Sequence, residues 1–261
     1  MNAILLAAGY ATRLYPLTRD RAKPLLPVAG RPILDYLVDQ LEQAPEITRL
    51  VLVSNAKFLA DFERWAESRA FRKPLSVLND GSTCNENRRG AVADVQFALE
   101  EAGSQDEPAY VLATDNLPRF DLRDAIACWR ERGVNTVYAC AVADRQLLRR
   151  MGVADLAPDG RVVSFEEKPQ DPKGEYRIPP FYVYTVEAVA MVSSYLAKGG
   201  NPDAPGHFLG WLVRRAPVYA LRRPEGTHEI GTLDAYRAVC EQLERRGRGE
   251  AGAGGDSLDG Q

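Results

Sequence analysis

The chain has 261 residues, of which 45% are hydrophobic and 26% charged, a composition typical of a globular protein with one large α/β domain. Its formal net charge of −3 provides no basic excess to neutralise a phosphate backbone, so we expect no nucleic acid partner. The first apolar run, residues 3–8, is too short for a membrane span, and we expect no membrane partner.

The four cysteines, Cys84, Cys128, Cys140 and Cys240, are widely separated in the chain and form no C-x-x-C pair. Zinc sites need cysteine or histidine ligands at short, regular spacings, so this pattern predicts free thiols and not a zinc site. Free thiols fit a reducing compartment, and we therefore expect a cytoplasmic protein.

Short apolar runs alternate with helical patterns through the first 145 residues. Strands are predicted at residues 4–8, 50–53, 75–78, 110–113 and 136–142, and helices at 32–41, 58–66, 91–99 and 121–132. This alternation predicts an α/β fold with a doubly wound, mostly parallel, Rossmann-like sheet. Ligands bind at the carboxyl ends of such strands, where Gly9, Asn79, Asp80 and Asp115 would lie.

The pattern changes after about residue 150. Strands are predicted at 153–156, 162–167 and 181–185, with a hairpin turn at Asp159-Gly160, and helices at 186–198 and 233–246. We therefore divide a single domain, residues 1–244, into a nucleotide-binding part (about 1–145) and a small β-rich acceptor-binding part (about 146–232). The glycine-rich residues 245–261 are predicted to be a disordered tail.

The loop after the first strand has features suited to a triphosphate. Small residues at Ala7, Ala8 and Gly9 let backbone N–H groups approach a nucleotide closely. Arg13 offers a forked cation and Lys23 a point charge. The spacing fits neither G-x-G-x-x-G nor the P-loop, which argues against a Rossmann dehydrogenase. Taken alone, these residues could equally form an ordinary strand and turn with surface cations.

The longer string is more specific. Residues 6–18 read LAAGYATRLYPLT and residues 23–28 read KPLLPV. This resembles the signature of the sugar-1-phosphate nucleotidyltransferases, L-A-x-G-x-x-T-R-L-x-P-L-T followed by P-K-x-L-L-P-V. The resemblance implies catalytic roles for Arg13, on the pyrophosphate side, and Lys23, at the α-phosphate. It also implies that the nucleotide contacts Leu6, Ala8, Gly9 and Thr12.

Later segments continue the resemblance to about residue 240. Thr114-Asp115-Asn116 resembles the family's G-D-N, which makes Asp115 an expected Mg²⁺ ligand. Residues 228–232, HEIGT, resemble the end of W-x-D-I-G-T and imply Glu229 as the second metal ligand, with glutamate where aspartate is usual. Gly152, in a G-V turn, and the pair Glu167 and Lys168, in an E-E-K-P segment, are implied to bind the acceptor.

Two segments depart from the family pattern. The polar loop at 79–90 is longer than expected and lacks the usual glutamine pair; Asn79 and Gly90 are its expected nucleotide contacts, with Gly90 beside the base. An ordered surface loop is the alternative for the polar run. Pro179-Pro180 removes two N–H donors from a turn near the acceptor, so the sugar pocket is expected to be non-standard.

The resemblance predicts a Mg²⁺-dependent nucleotidyltransferase that joins a sugar 1-phosphate to a nucleoside triphosphate, with UTP or dTTP expected, and releases pyrophosphate. One alternative is a cytidylyltransferase acting on phosphocholine, a phosphonate or a polyol phosphate, favoured by the unusual loop and the two prolines. A second is an inert regulatory protein that binds a nucleotide sugar. Homo-oligomer formation is left open.

Overall fold

The structure is a computed structural model, and it describes residues 1–247. Its strands in that range are β1 (Asn2–Leu6), β2 (Pro27–Val28), β3 (Arg31–Pro32), β4 (Arg49–Ser54), β5 (Leu75–Asn79), β6 (Ala109–Ala113), β7 (Asn116–Pro118), β8 (Asn135–Ala141), β9 (Gly152–Leu156), β10 (Val162–Glu167), β11 (Tyr176–Arg177), β12 (Phe181–Tyr184), β13 (Val218–Arg222) and β14 (Thr227–Glu229). Its α-helices are α1 (Ile33–Glu42), α2 (Leu59–Glu67), α3 (Ala91–Glu101), α4 (Arg123–Arg132), α5 (Arg145–Leu148), α6 (Val186–Ala197), α7 (Pro205–Leu212) and α8 (Leu233–Gly247).

One large mixed sheet organises the chain, in the order β10-β9-β11-β8-β12-β6-β1-β4-β5, with β13 beside β8. The strands of the first half, β6, β1, β4 and β5, are all parallel to one another. The later strands β9 to β12 pair in antiparallel fashion. This confirms the predicted α/β fold with a mostly parallel central sheet, here followed by a β-rich second section.

Helices cover both faces of the sheet because successive side chains of a buried strand point to opposite sides. In β1, Ala3 and Leu5 pack in the core that contains α1, α2 and α4, whereas Ile4 packs in the core that contains α3, α6 and α7. The central strands β1, β4 and β6 therefore each contain a continuous apolar run, which is the pattern that made them visible in the sequence.

Strand register brings two functional loops to the same edge. Leu6 and Ala113 are paired at the ends of β1 and β6, so the residues after each strand leave the sheet side by side. The Thr114 hydroxyl donates to the Leu6 carbonyl at 2.8 Å and ties the two chain exits together. A separate two-stranded sheet, β7 with β14, lies directly after this edge and places Glu229 opposite Asn116.

Several elements differ from the sequence-based prediction. Helix α7 and strands β13 and β14 were not predicted, because their polar and glycine residues obscure the apolar period. Helix α8 continues through Gly247, so the first residues of the predicted tail, 245–247, are helical. The rest of that tail lies outside the described residues. Within residues 1–247, no helix is both long and apolar enough to cross a membrane.

Candidate active site

A cavity of about 610 Å³ opens at the carboxyl edge of β1 and β6, and we call it the main cavity. The structure brings twelve of the predicted site residues to its wall: Leu6, Ala8, Gly9, Thr12, Arg13, Lys23, Gly90, Asp115, Gly152, Glu167, Lys168 and Glu229. Asn79 does not line it. The Asn79 side chain is exposed at the end of β5 and accepts a hydrogen bond from Gly81 N at 2.9 Å.

The loop after β1 is held from outside the cavity. The buried amide of Asn55 donates to the Ala8 carbonyl at 2.9 Å, and the Thr18 hydroxyl donates to the Ala11 carbonyl at 2.8 Å. A Cβ added at Gly9 would meet no described atom within 4 Å, so chain packing does not require glycine there. The space in front of Gly9 is thus open to a ligand, which fits the close backbone approach expected from the sequence.

Lys23 and Asp115 form the first charged pair of the main cavity. Lys23 begins a short 3₁₀-helix and is only 7% exposed, yet its Nζ reaches Asp115 Oδ2 at 3.0 Å. The other carboxylate oxygen of Asp115 accepts from the Asn116 amide at 2.7 Å. Arg13, in the 3₁₀-helix Thr12–Leu14, is exposed to the cavity and forms no ion pair with any residue in the range 1–247. The loop therefore offers one fixed and one unpaired cation.

Arg177 and Glu229 form a second charged pair that the sequence did not predict. Arg177 lies on β11 and is 8% exposed; its Nη2 forms an ion pair with Glu229 Oε1 at 2.8 Å and donates a hydrogen bond to the Thr227 hydroxyl. The longer glutamate side chain is thereby given a fixed partner at the position where the family carries aspartate. No motif surrounds Arg177 in the sequence, because the contact depends on the packing of β11 against β14.

Glu167 stands between two glycines at the far end of the cavity. A Cβ at Gly206, in the first turn of α7, would overlap Glu167 Oε2, and a Cβ at Gly152 would lie 3.2 Å from the same atom. Burial raises the pKa of the Glu167 carboxyl, although the charge of Lys168 opposes the shift. Lys168 has a backbone φ of 48°, and its side-chain Nζ lies 3.7 Å from Glu167 Oε1. The missing Cβ atoms of Gly152 and Gly206 therefore leave the space that the Glu167 carboxyl occupies.

Asp94, near the start of α3, is a further cavity residue that sequence reasoning missed. It is 5% exposed, and burial together with the charge of Asp80 raises its pKa to about 7, against the opposing charge of Arg89. A signal was present, because Asp94 stands between Val92 and Val95 among the buried residues of α3. An acid on a buried helical face is rare and marks either a structural partner or a site.

The two carboxylates of Asp115 and Glu229 suit Mg²⁺. They lie on adjacent segments of the β7 and β14 pair, both line the main cavity, and the Asp115 side chain is 51% exposed. Mg²⁺ commonly binds one or two carboxylates and completes its shell with water and substrate phosphates. In residues 1–247, no group of three or more histidine, cysteine, aspartate or glutamate side chains is placed so that it could hold a metal ion.

Comparison with known proteins gives the family. A family model described as "Nucleotidyl transferase" matches residues 2–246. The chain belongs to the sugar-1-phosphate nucleotidyltransferases. A relative from Actinoplanes sp. named glucose-1-phosphate thymidylyltransferase is 30% identical over 254 residues, covering 92% of this chain and 77% of the relative. A Synechocystis sp. relative named UTP–glucose-1-phosphate uridylyltransferase is 25% identical, covering 94% of this chain and 64% of the relative.

Solved structures support the fold of this nucleotidyltransferase. A UDP-glucose pyrophosphorylase, crystallised as a complex with UDP-glucose, matches with a TM-score of 0.78 at 17% identity, covering 94% of this chain and 98% of that one. Among the sequence relatives, a Rhodopirellula baltica protein named glucose-1-phosphate adenylyltransferase is 24% identical. The match covers 89% of this chain and 58% of the relative. The chain thus spans under two thirds of two of these relatives.

Proposed function

We propose that this enzyme transfers a nucleoside monophosphate from UTP or dTTP to a sugar 1-phosphate and releases pyrophosphate. One observation carries the proposal: the Lys23–Asp115 pair, the Arg177–Glu229 pair and the buried Glu167 line a single cavity. The two charged pairs would form the phosphate-binding end of this cavity, and Glu167 would form its hydroxyl-binding end. The names of relatives that act with thymidylyl and uridylyl groups support the choice of nucleotide.

The chemistry needs charge neutralisation and alignment more than proton transfer. A phosphate oxygen of the acceptor forms a bond to the α-phosphorus, and the bond from that phosphorus to the bridging oxygen breaks, with pyrophosphate taking the electron pair. Lys23 would hold the α-phosphate and Arg13 the departing pyrophosphate, because both cations face the cavity from the same loop. Lys168 would bind the phosphate of the acceptor. A phosphate dianion carries no proton that must be removed.

We propose Asp115 and Glu229 as the protein ligands of Mg²⁺. When bound there, Mg²⁺ would neutralise part of the phosphate charge. Lys23 and Arg177 each already hold one of these carboxylates, at 3.0 Å and 2.8 Å, which keeps both oriented toward the cavity. Free thiols at all four cysteines support the cytoplasm as the place of the reaction.

Two features of the cavity favour a sugar over phosphocholine as acceptor. Glu167, buried beside Gly206, offers oxygens that suit sugar hydroxyl groups. Recognition of a trimethylammonium group usually requires several aromatic faces. Among the described lining residues, the aromatic ones are Tyr10 and Tyr182, and both are buried. A cytidylyltransferase for choline phosphate therefore has weaker support, although it belongs in the same assay.

The test is pyrophosphate release by the purified enzyme with Mg²⁺. UTP, dTTP, CTP, GTP and ATP are each combined with a panel of hexose 1-phosphates, phosphocholine and aminoethylphosphonate. We expect turnover with UTP or dTTP and one sugar 1-phosphate, and a loss of roughly 10²-fold or more in Asp115→Asn. The matched control is Asp106→Asn, an exposed aspartate before the opposite end of β6, which should behave as wild type.

Each other outcome selects a different function. Turnover confined to CTP with phosphocholine or a phosphonate would replace the sugar proposal by the cytidylyltransferase. Tight binding of UDP-glucose without turnover in any combination would indicate the inert regulatory protein. Equal activity of Asp115→Asn and wild type would contradict the proposed role of that carboxylate.

A further inference from the structure

Asp94 carries a carboxyl group for which the protein supplies no hydrogen bond. Its Oδ1 atom is fully buried and has no hydrogen-bond partner among residues 1–247, although the side chain lines the main cavity. Leaving such a group unpaired costs about 1–3 kcal/mol, so buried polar atoms nearly always have partners. A partner from a ligand in the cavity would account for this atom.

The start of helix α3 explains why no protein group satisfies Asp94. Carboxylates in a first turn usually accept from free backbone N–H groups. Here Ala91 N donates to the Asp203 carbonyl at 3.1 Å and Val92 N to the Pro202 carbonyl at 2.9 Å. These donors are therefore taken by the segment that precedes α7. Gly90 N is different, because it donates to no group in the described part of the chain.

The surroundings of Asp94 favour the neutral carboxyl. Segments β1, β4, α6 and α7 contribute apolar side chains to the core beside α3, such as Ile4, Val51 and Val192. Two charged groups act on Asp94: Asp80 disfavours its ionisation and Arg89 favours it. The guanidinium of Arg89 donates to the Asp80 backbone carbonyl and lies over the Phe97 ring. The pair Arg88 and Asp203 lies on the other side of Gly90 and is mutually neutralised.

A neutral carboxyl presents an O–H donor and a C=O acceptor side by side. Uracil and thymine present the complement along one edge: the O2 carbonyl, the N3–H donor and the O4 carbonyl. Helical side chains lean toward the helix N-terminus, so the Asp94 carboxyl points toward Gly90. Gly90 N–H can then meet O2 while Asp94 meets N3–H and O4. The two residues provide donor, acceptor and donor in the order that the base requires.

We propose that Asp94 recognises the nucleobase, accepting from N3–H of uracil or thymine and donating to O4. This deepens the proposed function and rests on it, since it assumes that the nucleotide binds in the main cavity. No residue of the sequence motifs supplies this contact. Because only the neutral acid can donate to O4, nucleotide affinity should follow the protonation of Asp94.

The experiment is calorimetric binding of UTP at pH 6 and pH 8, without acceptor, so that turnover is not needed. With the pKa of Asp94 at about 7, we expect wild-type affinity to fall roughly tenfold between these pH values. Asp94→Asn keeps one donor and one acceptor but cannot ionise. Its fall in UTP affinity between pH 6 and pH 8 should therefore be smaller than that of the wild type by this factor of roughly ten. Asp94→Leu should bind UTP at least roughly tenfold more weakly at pH 6. The titration of UTP's own phosphate groups is the same for the wild type and for both variants, so it cancels when their pH profiles are compared.

Inorganic tripolyphosphate is the control ligand, because it occupies the phosphate end and has no base. Its affinity should be the same in wild type, Asp94→Asn and Asp94→Leu, which also checks that the variants are folded. UTP affinity unchanged in Asp94→Leu, or one pH profile shared by wild type and Asp94→Asn, would overturn the inference. Tripolyphosphate binding without UTP or dTTP binding would also overturn it, whereas failure of every triphosphate to bind would count against the proposed function itself.

Discussion

The protonation of Asp94 predicts a pH-dependent stability that needs no ligand to observe. The pKa of this carboxyl rises from 3.8 to about 7 on folding, chiefly because burial disfavours the charged form. Between these values the folded state keeps a proton that the unfolded chain releases. The free energy of unfolding should therefore decrease as the pH rises through this window and level off above pH 7. Asparagine at the same position has no proton to lose.

The size of the effect follows from the shift. Each pKa unit corresponds to about 1.4 kcal/mol, so a shift of about three units costs the wild type about 4 kcal/mol once Asp94 is fully ionised. At pH 5 only part of this cost is present, about 1.7 kcal/mol. Asp94→Asn should therefore gain about 2.6 kcal/mol on wild type between pH 5 and pH 8. Near pH 4, where Asp94 is neutral in the folded protein and only partly ionised in the unfolded chain, this cost falls to about 0.6 kcal/mol.

Urea unfolding followed by circular dichroism at pH 4, 5, 6, 7 and 8 measures this difference directly. Asp106→Asn provides the control, because its exposed carboxyl should leave the stability difference from wild type nearly constant. A constant difference between Asp94→Asn and wild type across the whole range would refute the reasoning. It would mean that the Asp94 carboxyl ionises in the folded protein as it does in the unfolded chain.

Three further predictions concern the charged groups and glycines of the cavity. Lys23→Met should lower kcat by roughly 10²-fold or more while the fold survives, because Asp115 remains half exposed to water; pyrophosphate release and circular dichroism check this. Gly206→Ala should raise KM for the sugar 1-phosphate by roughly tenfold, because the new Cβ displaces Glu167, and calorimetry should find unchanged UTP affinity. Arg177→Met should lower the free energy of unfolding by about 2 kcal/mol, since Glu229 loses its ion-pair partner and the Thr227 hydroxyl loses its donor; full stability in urea would contradict this.

Local patterns were sufficient to predict much of the fold. The parallel strands β1, β4 and β6 are buried on both faces, so each contains a short uninterrupted apolar run that can be read without knowledge of its neighbours. Strand β5, at the edge of the sheet, is only partly buried, and Ser76 interrupts its apolar run. Helix α7 was missed for the opposite reason. Its residues, PGHFLGWL, include two glycines, one of which is required by the Glu167 side chain rather than by the helix.

The candidate site was predictable only where a contiguous string carries it. Residues 6–18 run from the last residue of β1 through a turn into a 3₁₀-helix, and the predicted cavity residues of that segment do line the cavity. Asn79 shows the limit of this reasoning. It is the last residue of β5, at the correct edge, but β5 is the outermost strand of the sheet, so its end lies away from the cavity.

The amino-acid sequence by itself determined the alternation of strands and helices, the edge at which polar loops emerge and the identity of the cations in the first loop. These depend on side-chain periodicity and on small residues, which act over a few positions. Only the tertiary structure decided which charges meet. Lys23 and Asp115 are 92 positions apart, and Arg177 and Glu229 are joined by the packing of β11 against β14. The neutral form of Asp94 likewise follows from desolvation, which exists only once the core around α3 has closed.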